Sequence, residues 1–297
     1  MTNRAVAMLT FLLLLLAGCA TPPTIATWSQ DQGLQGERYL QPSAQLSSVF
    51  ITLVTDIAEG ECVATVELVS LANANVNVNA NSTTPLIFAH GFLREVARHR
   101  DWARHIASWG VPVYLVGLCP GGWERGGVNV FAKLLQKTAD KSGAAQVIYG
   151  GFSAGGGASR HAALQDKRSV GYLGLDPVSR AIPNAPTTYP MFALFAPSGK
   201  CNANQVGANM FRDAIDAVLL EIENSTHCHF ESPTNILCLA ACGEPTSAAD
   251  SQLLRDRIAG FSVAYLRWRA GLEAASPAMW RAALPGVKLL LPSSATK

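Results

Sequence analysis

Charge is scarce in this chain: only 15% of its 297 residues are charged, and the net charge is +2. No basic stretch interleaved with aromatics occurs, which excludes the electrostatic footprint of a nucleic-acid-binding protein. Long apolar runs are lacking too. The most pronounced, residues 8–17, is too short to span a bilayer comfortably. No Cys/His spacing suits zinc, because Cys238 and Cys242 lack a second ligand pair beyond nearby His227 and His229. There is no internal repeat and no large insertion of the kind that forms a lid. What is abundant is apolar side chain, at 49% of residues, enough to core one large α/β domain or two small ones and to exclude disorder over most of the length.

The N-terminus reads as a targeting segment. Arg4 precedes the apolar run, and Leu16-Ala17-Gly18-Cys19 ends it. That ending resembles a bacterial lipobox, in which cleavage precedes the cysteine and lipid is attached to it. Residues 1–18 are therefore expected to be a signal peptide and Cys19 the lipidated residue. Residues 19–45, rich in Pro, Gln, Ser and Thr, are the expected tether to a domain over 46–297. With Ala20 after the cysteine, the resemblance implies an envelope protein held at the outer membrane by its N-terminal lipid. Export also changes the meaning of cysteine. Of seven, Cys19 leaves six: Cys62, Cys119, Cys201, Cys228, Cys238 and Cys242. An even number in an oxidising compartment predicts disulfides, among fifteen possible connectivities.

From Ser47 onward, strand and helix patterns alternate. The β-branched runs 49–55 and 63–71, joined by Glu59-Gly60-Glu61, predict a hairpin. Residues 73–81 form an Asn/Ala/Val tract read as a surface loop. Short apolar runs at 86–90, 111–118, 147–149, 170–175, 191–195 and 218–222 predict buried strands, the last closing the sheet. Helical periodicity covers 95–109, 128–142, the segment up to Leu164, and 248–272. The class is α/β, a mostly parallel sheet with helices on both faces and an antiparallel N-terminal hairpin.

Ser153 lies in Gly151-Phe152-Ser153-Ala154-Gly155, between a strand and a helix start. A strand that turns sharply into a helix pushes one hydroxyl into a cleft, and the flanking glycines give the turn room. His90-Gly91-Phe92 ends another strand, at the sheet edge where ligands of parallel sheets bind. The N–H groups of Phe92 and Ala154 are the natural pair to hold an oxyanion. A nucleophilic serine needs a base, and the base an orienting carboxylate. Asp176 follows the strand 170–175, whereas 196–202, after the next strand, holds no acid. Past the strand 218–222 both His227 and His229 qualify as the base. His227 is favoured because it comes first off the strand. His90, Gly91, Trp123 and Phe152 are the expected contacts to substrate, Trp123 also being readable as core.

Four segments carry a family resemblance: His90-Gly91-Phe92-Leu93, His105-Ile106-Ala107-Ser108-Trp109-Gly110, Gly151-Phe152-Ser153-Ala154-Gly155-Gly156 and Leu175-Asp176-Pro177-Val178. They resemble the chlorophyllase and dienelactone-hydrolase-like branch of the α/β hydrolases, which includes cutinase-type polyesterases. The likeness covers roughly residues 46–285. It implies the α/β-hydrolase fold, a Ser153–His227–Asp176 triad, a small or lipid-like ester as substrate, and no metal or organic cofactor. The elbow departs from the chlorophyllase pattern at Phe152 and Ala154, and a serine nucleophile departs from dienelactone hydrolase. The implied strand order sets the second strand beside the fourth, which pairs Cys62 with Cys119 and leaves the other four cysteines unassigned. An acyltransferase using the same triad, or a binding protein of the same fold, is equally compatible with these residues.

Overall fold

The computed structural model describes residues 39–72, 84–124, 126–179, 186–214, 216–243, 247–274 and 285–290. The expected signal peptide, Cys19, most of the tether and the Asn-rich tract lie outside these. Nine strands form one sheet in the order β1-β2-β4-β3-β5-β6-β7-β8-β9. They are β1 Val49–Glu59, β2 Cys62–Leu71, β3 Leu86–Ala89, β4 Val113–Val116, β5 Val147–Phe152, β6 Ser169–Leu175, β7 Met191–Phe195, β8 Ala217–Ile222 and β9 Val287–Leu290. β1 and β2 form the antiparallel hairpin, and β2 also runs antiparallel to β4. Within the run β4-β3-β5-β6-β7-β8, each strand is parallel to the next.

The parallel strands β3, β4, β5 and β7 are buried at every residue. This is why they read as unbroken apolar runs: both faces of a parallel sheet are covered. Helices α1 Arg100–Ser108 and α5 Ala248–Arg269 cover one face, with Trp102, Ile106, Ile258 and Tyr265 in its core. Helices α2 Gly127–Ser142 and α3 Ala154–Gln165 cover the other, with Phe131, Leu134, Leu135 and Ala158. A fifth helix, α4 Ile236–Cys242, lies after the β8 loop. No described helix is long and apolar enough to cross a membrane.

Three expectations need correction. β8 is not the last strand, since β9 pairs antiparallel with it, Leu220 opposite Leu289. β9 is short and only partly buried, so its pattern is weak. The run 111–118 is strand only over Val113–Val116, and 95–109 begins with a 3-10 turn, Val96–His99, before α1. The chain just before residue 46 is also ordered against the domain. Tyr39 is fully buried, with its ring 4.7 Å from that of Trp109 and its carbonyl 2.8 Å from His105 Nε2. The end of the expected tether is thus packed on α1.

Candidate active site

The chain order reverses at β3, which lies between β4 and β5. Loops leaving adjacent strand ends at such a switch point open a crevice. The loop after β3 carries His90-Gly91-Phe92, and β5 leads directly to Ser153. Ser153 has φ +52° and ψ −126°, a strained conformation for a residue with a side chain. Backbone bonds hold it there. Its N–H donates to Leu175 O at 3.1 Å, and its carbonyl accepts from Gly156 N–H at 3.0 Å and Val178 N–H at 2.9 Å. A Cβ on Gly155 would come within 2.2 Å of His90 O, so only glycine lets the elbow meet the β3 loop. A Cβ on Gly91 would lie 2.9 Å from Ser153 Cβ. The two loops are therefore in contact.

Asp176 follows β6, the neighbour of β5, and is fully buried. Its Oδ1 accepts from Ala196 N–H at 3.1 Å and from Asn202 Nδ2 at 3.2 Å, and its Oδ2 lies 2.6 Å from His227 Nδ1. A carboxylate only accepts, so Nδ1 carries the proton, and in the neutral ring Nε2 keeps its lone pair. The His227 ring rests on Phe152, centroids 4.5 Å apart. His229, the other candidate, points elsewhere: its Nδ1 accepts Thr226 N–H at 2.8 Å and closes a capping box over the short helix His227–Phe230.

Two expected substrate contacts have other positions. Phe152 is 1% exposed and forms the floor under His227, between that ring and His99. His90 is 4% exposed with both ring nitrogens used by the backbone: Nδ1–H donates to Gly91 O at 2.8 Å and Nε2 accepts Leu118 N–H at 3.0 Å. Trp123 is partly buried, edge-on to both exposed Phe92 and buried Phe131. It is rim and core at once.

Burial pushes the His90 imidazole down to about 4. Burial also holds His99, whose ring nitrogens have no hydrogen-bond partner among the described residues, well below the usual value. A histidine whose folded pKa is depressed stays neutral while the unfolded chain takes up a proton, so acid favours unfolding. Stability is expected to be full above about pH 6.5 and to fall toward pH 4, by on the order of 3 kcal/mol for His90 alone. Thermal melts across that range check this, and His99→Leu should flatten the slope.

Asn202 and α4 escaped the sequence reading. Asn202 is 2% exposed and spends its amide on Asp176 and on the carbonyls of Ala196 and Pro197. The segment without an acid thus supplies the group that orients the acid of the neighbouring strand. Disulfides join Cys62 to Cys119, Cys201 to Cys242, and Cys228 to Cys238. Cys201 precedes Asn202, Cys228 follows His227, and both partners lie on α4. One short helix is therefore stapled to both the acid-support loop and the histidine loop. Cys228, Cys238 and Cys242 have their sulfurs within 4.8 Å of one another, but as disulfides they lack the thiolate that binds metal.

Ser153 at a strained elbow, a buried Asp–His pair and two loops meeting at a switch point belong with a known architecture. The chain has the α/β-hydrolase fold. Among solved structures it is similar to a ferulic acid esterase from Streptomyces cinnamoneus, with a TM-score of 0.59 over 77% of this chain and 89% of that one, at 15% identity. No family model and no curated protein matches the chain.

Proposed function

We propose that this protein is a serine hydrolase of carboxylic esters. The observation that carries the reading is the 2.6 Å contact between buried Asp176 and His227 Nδ1, on the strand beside the Ser153 elbow. In this mechanism Nε2 of His227 takes the Ser153 proton as Oγ attacks the ester carbonyl. Negative charge develops on the carbonyl oxygen and is held by the N–H groups of Phe92 and Ala154. Ala154 opens α3, where first-turn N–H groups lack intrahelical partners and the helix dipole favours an anion. The tetrahedral adduct collapses to an acyl-enzyme as imidazolium protonates the departing alkoxide. Water then attacks, gives its proton to His227, and releases the acid and free Ser153. Asp176 keeps the tautomer and stabilises the imidazolium throughout.

The rim supports an apolar ester. Phe92 and Leu93 on the oxyanion loop and Ile236 and Leu237 at the start of α4 are 50%, 77%, 77% and 68% exposed. The structural likeness to a ferulic acid esterase agrees with a carboxylic ester, aromatic or aliphatic, as substrate. The lipobox-like Leu16-Ala17-Gly18-Cys19 supports placing this activity in a bacterial envelope, on a lipid anchor. p-Nitrophenyl esters of graded acyl length test the reading. Turnover should rise from acetyl to longer chains, and Leu93→Ser with Ile236→Ser should lower kcat/KM for the longer esters by about 10-fold while sparing acetate. Equal loss on all esters contradicts an apolar rim, and products formed on an added alcohol in preference to water would move the assignment to acyl transfer.

A further inference from the structure

Oxyanion loop and histidine loop come from opposite ends of the domain sequence, yet the proposed reaction needs them in fixed register. One side chain spans them. Arg94 follows directly on the oxyanion loop, its N–H closing a turn onto Gly91 O at 3.2 Å, with Leu93 at φ +56°. Its guanidinium reaches across to Glu231, Nε to Oε1 and Nη2 to Oε2, both at 2.5 Å, and Nη2 also meets Asn235 Oδ1 at 2.9 Å. Glu231 is fully buried, and the Arg94 side chain is 12% exposed. Glu231 N–H donates to Cys228 O at 3.2 Å, so Glu231 ends the same short turn that begins with His227. Asn235 caps α4, which the Cys228–Cys238 disulfide ties to that turn.

We infer that Arg94 and Glu231 form a clamp that sets the position of the Phe92 N–H relative to His227, making both of them positioning residues for the reaction. This rests on the serine-hydrolase reading of the site. Fork-to-fork geometry fixes orientation as well as distance, which a lysine in place of Arg94 cannot do. A buried ion pair is weak as a source of net stability, whereas its attested use is to specify one arrangement. Here the arrangement specified joins the two halves of an active site. At the start of the same segment, His90 performs the neutral counterpart, bonding Gly91 O and Leu118 N–H. The oxyanion segment is thus held from both flanks, by an imidazole on one and by a guanidinium on the other.

The test compares wild type with Arg94→Lys, Glu231→Gln and Ser153→Ala, all disulfide-intact. kcat and KM are measured on p-nitrophenyl butyrate, with the inhibition constant of phenylboronic acid, whose tetrahedral adduct on a serine needs the oxyanion donors. The clamp predicts that Arg94→Lys and Glu231→Gln each lose about 10- to 100-fold in kcat, the scale of a misplacement near 1 Å, with KM within about threefold. Boronate affinity should fall in parallel with kcat. Retention of kcat within about twofold in both variants overturns the inference, as does a loss that merely follows the unfolded fraction. Hydrogen exchange supplies a readout independent of turnover. Glu231→Gln should speed exchange at residues 92–94, across the cleft, while β5 and β6 stay protected; unchanged exchange there also overturns it. Absence of Ser153-dependent hydrolysis in wild type counts against the hydrolase reading, and the exchange result then decides the clamp separately.

Discussion

Ser153→Ala is expected to lower kcat for ester hydrolysis by about 10⁴- to 10⁶-fold, the range seen when a triad nucleophile is removed. The substitution deletes only Oγ. Every backbone bond that holds the elbow is unaffected, since Leu175 O, Gly156 N–H and Val178 N–H all meet main-chain atoms of Ser153. The melting temperature should therefore stay within a few degrees, as expected for a change that removes no packing. KM should move little. A kinetic comparison beside thermal melts checks both halves. Activity retained by a folded alanine variant would place the chemistry elsewhere, and a collapse of stability would mean the hydroxyl serves the fold.

Asp176→Asn should cost about 10⁴-fold in kcat, for a reason specific to this site. Oδ1 of Asp176 is surrounded by donors, Ala196 N–H and the Asn202 amide. An asparagine would keep its oxygen there and turn its NH₂ toward His227 Nδ1. Two donors cannot face each other, so the imidazole would switch tautomer and place its proton on Nε2, where the base must be empty. Asn202→Ala should act in the same direction but by only about 10-fold, because Ala196 N–H remains to orient the carboxylate. Rates for the two single variants, measured with the fold verified by circular dichroism, check the ranking. A larger loss in Asn202→Ala than in Asp176→Asn would contradict it.

Much of the fold was legible because parallel strands advertise themselves. Residues 191–195 and 170–175 are solid apolar runs for a physical reason, burial on both faces, and their edges fall within one residue of the observed strands. β9 was not legible, being an edge strand only partly buried. At the site, Ser153 was marked by its glycines and Asp176 by its place after an apolar strand. Order along the chain favours His227, the first histidine off β8, but leaves His229 a candidate; in the structure the two differ by a 2.6 Å contact to Asp176 on one and a capping bond on the other. Phe152 and His90 were read as contacts because local sequence cannot tell an outward side chain from one turned into the floor. Asn202, Arg94 and Glu231 act through partners 26 and 137 residues away in sequence, and no local pattern reports such pairs. Cys62–Cys119 was accessible only through strand order, and the pairs ending on α4 needed that helix to be placed first.

The most direct measurement is covalent. A fluorophosphonate probe reacts with a serine whose proton is taken by a neighbouring base, and peptide mapping then locates the adduct. The account predicts single stoichiometric labelling at Ser153, abolished in His227→Ala and preserved in His229→Ala. Labelling at another residue, or no labelling of folded, oxidised protein, would contradict a serine hydrolase built on Ser153, His227 and Asp176.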